Sequence, residues 1–448
     1  MGSALATRII AEHAAVAASL PKEVVRPEWR LAGVMTLNEQ GIPTSRDENW
    51  KYANLRPLEK VKFAPPVVGS RETANLTAAD LPEAIEGYAR YTFVDGVLAP
   101  ELSSPVEKAG ISVKSLRERS KYSATASPRA VINRDNIAGQ TSSKDARFAL
   151  LNDVFAIDGA SIQVSEGTDC PTCIELVFIA TVESQAGSSY PRVELSVDAG
   201  ARVGLIERHL SVGSGANFVS TSVKVDIGRG ATVNHYRLQQ SGAKATWFDT
   251  LSAIVERDAV YKLHEVNVGG LSVRSTISVH LAGERAEAAI SVASLGDRHQ
   301  VQDTFVVVDH IAPYARSEQT FRGISAGRAR VTCNGMVVVR KDAKGTDSQQ
   351  SLRGLLAGPE AEIDVRPQLE IYTDDVRCAH GATAGKLDDN MLFYLLSRGI
   401  DAATAQRLLK WAFLEDVVAK IEVPALRRQI ERSLAGQMHE ADALKELL

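Results

Sequence analysis

Cysteine is scarce in this chain, and its scarcity excludes a disulfide-stabilised extracellular fold. The 448 residues contain four cysteines, Cys170, Cys173, Cys333 and Cys378, without the spacing of a disulfide framework. Aromatic residues make up 6% of the chain, which argues against an aromatic-lined carbohydrate-binding surface. We therefore expect a protein of the reducing cytoplasm.

Long apolar runs and a strong net charge are also missing. The apolar stretch from Ile9 to Leu20 is interrupted by Glu12 and His13, so it lacks a signal-peptide core, and no run is long enough to span a membrane. The net charge of −4 gives no reason to expect nucleic acid or a membrane as a partner. No Walker-type phosphate loop occurs, so we do not expect the chain itself to hydrolyse ATP.

What the sequence does contain is a degenerate repeat of short β-type segments between about residues 159 and 375. Each run of Val, Ile and Thr follows a turn-forming residue and an alanine. The first four of these alanines are spaced 30, 28 and 27 residues apart, and they are Ala201, Ala231, Ala259 and Ala286. A strand repeat of this length without crossover helices predicts a stacked β-solenoid, but the periodicity alone is equally compatible with a β-sandwich.

Helical periodicity marks both flanks of this repeat. Apolar residues at helical spacing predict helices over 4–19 and 142–155, and three further helical segments after Asp389, separated by Gly399 and Pro424. The predicted organisation has three parts. They are a mostly helical region with a short hairpin over 1–155, a β core over 156–388 and a helical domain over 389–448.

The segment from Arg366 to Gly385 carries the most chemistry. In an extended strand residues i and i+2 share a face, so Cys378 and His380 point the same way. A thiolate beside an imidazole makes half of a soft metal site, and the remaining ligands would come from elsewhere. The alternative is a half-buried strand end with an apolar cysteine and a solvated histidine.

The other candidate motifs favour structural interpretations. Cys170 and Cys173 have redox-type spacing, but both flanks are strand-like, which favours a turn between two strands. Cys333 is expected to face the core. The paired acids Asp374–Asp375 and Asp388–Asp389 raise a second hypothesis, a β-helical carbohydrate-binding or carbohydrate-active protein. Adjacent strand residues point to opposite faces, however, and acids just before a helix are explained by capping.

Four ordered motifs resemble those of the SufB/SufD family of the SUF iron–sulfur cluster assembly machinery, and Cys378-Ala-His-Gly381 favours its SufD branch. They run through most of the chain from about residue 41 to residue 434. The motifs are Gly41-Ile-Pro-Thr-Ser-Arg-Asp-Glu-Asn-Trp-Lys-Tyr52, Ser317-Glu-Gln-Thr-Phe-Arg-Gly323 with Asn334-Gly-Met336, the segment 366–385, and Leu392-Phe-Tyr-Leu-Leu-Ser-Arg-Gly-Ile400. The resemblance implies a right-handed parallel β-helix and a non-catalytic scaffold subunit.

The resemblance also implies partners and sites. His380, with Cys378, would lie at the interface with a SufB-like subunit, where iron or a nascent cluster is held transiently. A SufC-like ABC ATPase would dock on the C-terminal helices through Tyr394, Arg398, Gly399, Leu409, Ala412 and Phe413. The end of the solenoid, expected around 331–339 and 366–376, would pair with the SufB-like subunit or with a second copy of the chain.

Overall fold

The structure, a computed structural model, describes residues 2–66, 76–118, 147–181 and 187–438. Its helices are α1 (Gly2–Val16), α2 (Pro27–Gln40), α3 (Arg147–Phe155), α4 (Asp389–Ser397), α5 (Ala402–Val418) and α6 (Pro424–Gln437). Residues 142–146, where the sequence predicts the start of the helix before the β core, lie outside the described ranges.

The strands fall into a short first group and a long regular series. The first group is β1 (Ala89–Val94), β2 (Val97–Leu98) and β3 (Ile111–Ser115). The first half of the series is β4 (Ala160–Val164), β5 (Asp169–Ala180), β6 (Arg192–Val197), β7 (Arg202–Ser211), β8 (Phe218–Ile227), β9 (Thr232–Gln240), β10 (Thr246–Val255) and β11 (Val260–Val268). The second half is β12 (Ser272–Leu281), β13 (Glu287–Gly296), β14 (Val301–His310), β15 (Arg316–Ser325), β16 (Arg330–Val339), β17 (Thr346–Leu356), β18 (Glu362–Ile371) and β19 (Val376–Gly385).

From β4 onwards the chain forms a parallel two-sheet β-solenoid. Odd-numbered strands build one sheet, which ends at β19, and even-numbered strands build the other, which ends at β18. Each strand therefore pairs with the second strand after it, as when Val260 of β11 lies opposite Glu287 of β13. The predicted solenoid is confirmed, and the sandwich alternative is wrong.

The repeating alanines mark the corners between the two sheets. Ala231 and Ala259 are fully buried, and each amide donates to the carbonyl three residues earlier, Gly228 and Glu256. Residues before these alanines adopt positive φ angles, as Gly230 does at 68°. A small side chain is needed here because the corner lies inside the coil, where the next coil stacks directly against it.

Flanking helices cover the outer face of each sheet. The N-terminal region packs aromatic side chains on the even sheet, where Phe148 of α3 contacts Phe248 of β10 at a ring-centroid distance of 4.7 Å. On the odd sheet, α5 and α6 bury an apolar cluster that includes Val266 and Leu295 of the strands with Leu414 and Leu434 of the helices. Among the helices described, none has both the length and the apolar composition of a membrane span.

One predicted position for the solenoid end is wrong. The segment 331–339 lies within β16, which is covered on one side by β14 and on the other by β18, and Val337 and Val339 are fully buried. The last strands are β18 and β19, and the second predicted segment, 366–376, runs from the second half of β18 through the connection to the first residue of β19.

Candidate functional site at the open end of the solenoid

The last coil presents two long strand edges. Both β18 and β19 are ten residues long, and each is the outermost strand of its sheet. Within the described residues, nothing pairs with the outer edge of either strand. Pro367 lies in β18, and proline is tolerated in a sheet chiefly on an edge strand. The backbone groups along these edges are available to another chain.

Cys378 and His380 share one face of β19, as the alternation predicts, and this face continues the inner side of the solenoid. Cys378 lies opposite Ser348 of β17, and His380 lies opposite Gln350. Cys378 is half-buried beside the apolar cluster of Val337 and Val339, whereas His380 is exposed. The two donors therefore share a face but differ in access to solvent.

The protonation state of the Cys378 thiol limits its ability to bind a metal. Burial, with the negative charge of Asp347 nearby, raises the pKa of the Cys378 thiol, although a hydrogen bond with the Ser348 backbone acts in the opposite sense. A protonated thiol is a poor ligand until a metal displaces the proton. In the described ranges no three His, Cys, Asp or Glu side chains are grouped as a metal site, so further ligands would have to come from outside this region.

Hydrogen-bonded side chains of β14, β15 and β17 form a ladder in the coils stacked next to Cys378 and His380. His310 Nε2 and Ser317 Oγ are 2.8 Å apart, and Ser317 Oγ and Ser348 Oγ are also 2.8 Å apart. Beside them, Gln350 Nε2 donates to Gln319 Oε1 at 3.1 Å. The sequence alone does not predict this hydrogen-bonded set, although Ser317 and Gln319 alternate within one of the quoted motifs.

The other face of β15 is bonded to the C-terminal helices. Arg322 Nε donates to Asp416 Oδ2 of α5 at 3.0 Å, and Lys420 Nζ donates to Glu318 Oε1 at 2.8 Å. The Lys420 ammonium lowers the pKa of the Glu318 carboxyl. One strand therefore supports the Cys378 side of the coil with its inner residues and holds α5 with its outer ones.

Helix α4 is exposed to an unusual degree for its composition. Asp388 caps its start, since the carboxylate accepts from the amides of Asn390 and Met391, and Gly399 follows its end with a φ of 85°. No residue of α4 is buried. In the described part of the chain ten large apolar side chains are exposed, and four of them are on this nine-residue helix. These four residues are Met391, Phe393, Tyr394 and Leu396.

A groove of about 400 Å³ lies between α4 and α5, lined by Tyr394, Leu395 and Leu409 among others. The predicted docking residues differ in exposure and in position relative to this groove. Tyr394, Arg398, Gly399 and Ala412 are exposed, Leu409 lines the groove, and Phe413 is half-buried against the cluster under α5 and α6. The Arg398 guanidinium stacks 5.1 Å from the Tyr394 ring centroid.

Residues 178–413, which run from β5 into α5, match the family described as SUF system FeS cluster assembly, SufBD core domain. The chain belongs to the SufBD family. The matched region contains both the open coil with His380 and the α4–α5 groove, and the match favours iron–sulfur cluster assembly over the carbohydrate-active alternative.

Relatives of this SufBD chain extend the similarity beyond the core. It is 28% identical over 394 residues to the iron–sulfur cluster assembly protein SufD of Escherichia coli, covering 87% of this chain and 88% of the relative. A SufBD family protein of Synechocystis sp. is 25% identical over 406 residues, covering 88% and 87%. A SufBD family protein of Mycobacterium tuberculosis is 34% identical over 194 residues, covering 42% and 49%.

The other three cysteines of this SufBD chain lie in β-strands of the solenoid, away from Cys378 and His380. Cys170 and Cys173 both lie in β5, at an irregularity in its pairing with β7, so the predicted turn between strands is wrong and a bulge takes its place. Cys333 is buried in the solenoid core, as predicted, and burial raises the pKa of its thiol. All four cysteines are free thiols.

Proposed function

We propose that this chain is a non-catalytic scaffold subunit of a cytoplasmic iron–sulfur cluster assembly complex. It would pair with a SufB-like subunit through the last coil and dock a SufC-like ABC ATPase on α4 and α5. The observation that carries the proposal is the open coil itself, because its two unpaired edges lie beside two soft metal donors, Cys378 and His380.

Pairing with the SufB-like subunit would use the backbone of β18 and β19. An exposed strand edge recruits a strand from another chain through main-chain hydrogen bonds, and side chains then select the partner. Exposed Ile371 and Tyr372, at and just after the end of β18, would add apolar contacts. The same edges can pair between two copies, so the isolated chain is expected to form a homodimer that the SufB-like subunit displaces.

Iron or a nascent cluster is the cargo at this interface and is not a resident cofactor. Two donors do not complete a tetrahedral site, so the isolated chain would bind none tightly. His380 would be the principal donor because it is exposed, whereas Cys378 is half-buried with a raised pKa. Ligands from the SufB-like subunit would complete the site.

The exposed apolar side chains of α4 suit an ATPase contact. Soluble monomers rarely expose a concentrated apolar patch without a partner for it. Phe393 is 71% exposed and Tyr394 57%, and the groove beside them ends at Leu409. Aromatic residues next to an arginine, as Tyr394 is next to Arg398, are the usual composition of an energetically important contact.

Strand β15 would transmit the effect of ATP binding by the ATPase from α5 to the cluster site. Movement of α5 would act on Arg322 through Asp416, and movement of the segment directly after α5 would act on Glu318 through Lys420. The adjacent inward residues, Ser317 and Gln319, belong to the ladder beneath Cys378 and His380. A packed strand moves as a unit, so a shift on its outer face reaches its inner face.

Co-purification from the native cells tests the proposal. A tagged chain should recover a SufB-like subunit and an ABC ATPase together. Ala382→Lys places a charge at an exposed position of β19, on the same side as His380, and should release the SufB-like subunit while the ATPase stays bound. Recovery of neither partner by the unmodified chain would contradict the proposed function.

A further inference from the structure

The N-terminal motif from residue 41 to residue 52 has no part in the proposed cluster site or ATPase contact. It lies on the outer face of the even sheet, far along the chain from β19. Trp50 is buried there, with its ring centroid 5.0 Å from that of Phe148, and the Arg274 guanidinium lies 4.4 Å above it. Asn334 Nδ2 donates to Asn49 Oδ1 at 3.3 Å. The motif is therefore held rigidly against the solenoid.

A cleft of about 800 Å³ opens beside this anchored segment. Residues 43–46 and 52–56 form one wall, and Val301 and Arg330, at the starts of β14 and β16, form the other. Ser272 Oγ donates to the Asn54 carbonyl at 2.7 Å, which fixes the first wall to the solenoid. The volume falls within the range of small-molecule sites, and the walls are preformed.

The charge in this cleft is positive and largely uncompensated. Arg46 and Arg56 line it, and among the described residues neither guanidinium has a hydrogen-bond or ion-pair partner. The third lining arginine, Arg330, is paired with Glu362. The nearest acid in sequence, Asp47, already accepts from the Thr44 amide at 2.8 Å and from the Thr44 hydroxyl at 3.2 Å.

Several exposed arginines on the solenoid are paired with a carboxylate. Arg202 bonds Asp169, Arg285 bonds Asp258 and Arg328 bonds Glu360, each with a carboxylate of the neighbouring coil. Arg46 and Arg56 differ from these arginines because they line one preformed cleft together and, among the described residues, no carboxylate lines it with them. Guanidinium groups present fixed forks of donors that match phosphate oxygens, so an anion with more than one oxygen is the complementary ligand.

We propose that this cleft binds a phosphorylated small molecule. Arg46 and Arg56 would hold the phosphate groups. The half-buried ring of Tyr52, with Pro43 and Leu55, would contact the organic part of the ligand. The site is separate from Cys378, His380 and α4, and it does not depend on the proposed scaffold function.

Calorimetric titration of the full chain with two probes, inorganic pyrophosphate and ADP, tests this inference. Both should bind saturably at one site, and ADP should bind more tightly. Replacing both arginines, Arg46→Gln with Arg56→Gln, should weaken both probes at least tenfold, whereas Arg285→Gln, on the solenoid, should change neither. Tyr52→Ala should weaken ADP while leaving pyrophosphate unchanged.

Two results would overturn the proposal. One is the absence of saturable binding of either probe at millimolar concentration. The other is undiminished binding by the double glutamine variant with an unfolding curve that matches the unmodified chain. Because the titration uses the isolated chain, neither result bears on whether the SufB-like subunit and the ATPase co-purify.

Discussion

The two ends of the solenoid are built differently. At the first end β2 pairs antiparallel with β1, and β3 pairs antiparallel with β4, so the outermost strands are two and five residues long. Asp158 closes this end, because it accepts from the Ser115 hydroxyl at 2.6 Å and from the Leu98 amide at 3.0 Å. At the last end two ten-residue edges are left without such a closure.

Short, reversed outer strands are a known way to prevent a sheet from pairing with other chains. This molecule protects one end in that way and leaves the other as a long regular template. The difference supports the proposal that the last coil pairs with another chain, because the first end of the same solenoid is closed by short outer strands.

The side chains inside the solenoid also differ between the early coils and the last coil. In the early coils Arg237 forms ion pairs of 2.8 Å with Glu207, Asp249 and Glu265, and all four side chains are buried. Burial alone would raise the pKa of Glu207, but Arg237 and two histidines lower it well below its ordinary value. Near the last coil, by contrast, the ladder under β19 is made of hydroxyl, amide and imidazole groups.

Breaking the buried ionic cluster should have the largest effect on stability. Arg237→Met leaves three carboxylates facing one another without a cation, which should reduce the free energy of unfolding by about 3–5 kcal/mol. Arg366→Met is the matched change near the open end, where Arg366 pairs with exposed Glu48, and should cost at most about 1 kcal/mol. Urea unfolding measures both, and equal losses would contradict the contrast between the two regions.

Acid should destabilise the molecule through two buried histidines. Burial lowers the pKa of His264, beneath the C-terminal helices, and of His310, in the ladder, to about 4 in each case. The unfolded chain, with imidazole pKa values of roughly 6.5, binds protons between these limits that the folded chain does not. The stability that the two neutral histidines contribute is therefore present in full above about pH 6.5 and is lost as the pH falls towards about 4.

Between pH 7 and pH 5 each histidine should account for about 1–2 kcal/mol of this loss. His264→Gln and His310→Gln should each flatten the curve of unfolding free energy against pH. His299→Gln, at an exposed position, is the control and should leave the curve unchanged. A curve with the same slope in all three variants would assign the acid sensitivity to other groups.

The sequence predicts the coils well because stacking imposes a period on it. Turn residues and buried alanines such as Ala231 must recur wherever the chain passes from one sheet to the other. The end of the solenoid is less predictable, because the period shows where strands recur but not which strand is outermost, and Pro367 in β18 is the one residue that signals an edge strand. The placement of 331–339 at the solenoid end failed for this reason.

The buried cluster around Arg237 and the ladder below Cys378 could not be predicted from one sequence. Alternation shows that Glu207 and His209 share a face, but it does not show whether that face is the core or the surface. A charged residue favours the surface by itself, and burial becomes possible because Arg237 arrives from the next coil. The motif that contains Ser317 can be read from the sequence. Its contacts on both faces of β15 depend on the pairing with β17 and on the packing of α5 against the strand.

Substitution on α4 should separate partner binding from folding. Phe393→Ser with Tyr394→Ser should leave the free energy of unfolding within about 0.5 kcal/mol, because both side chains are exposed. Binding of the ABC ATPase should weaken by about 2 kcal/mol or more, roughly thirtyfold, if these residues anchor the contact. Leu31→Ser, at a 59% exposed position of α2, is the matched control for a lost surface apolar group.

This double substitution is a cleaner test than removal of residues 390–448. From the sequence, we expect that truncation to leave the solenoid folded. In the structure α5 and α6 cover Val266 and Leu295 of the solenoid, so their removal would expose a buried apolar surface. An unchanged ATPase affinity in the double variant would exclude the exposed face of α4 from the contact.

Replacing His380 should have the smallest effect on folding and a selective effect on function. The side chain is exposed on an edge strand, so His380→Ala should leave the free energy of unfolding within about 0.5 kcal/mol and leave complex assembly intact. Cluster formation on the assembled complex, followed by its visible absorption, should fall about tenfold or more, because a methyl group cannot serve as a ligand. Arg377→Ala, at an exposed position on the opposite face of β19, should leave cluster formation unchanged. His380→Cys restores a soft donor and should recover part of the activity, which a purely steric role for His380 would not allow. If instead Cys378→Ala abolishes cluster formation and His380→Ala does not, the half-buried thiol is the principal donor, and the open coil must rearrange to expose it before a metal can bind.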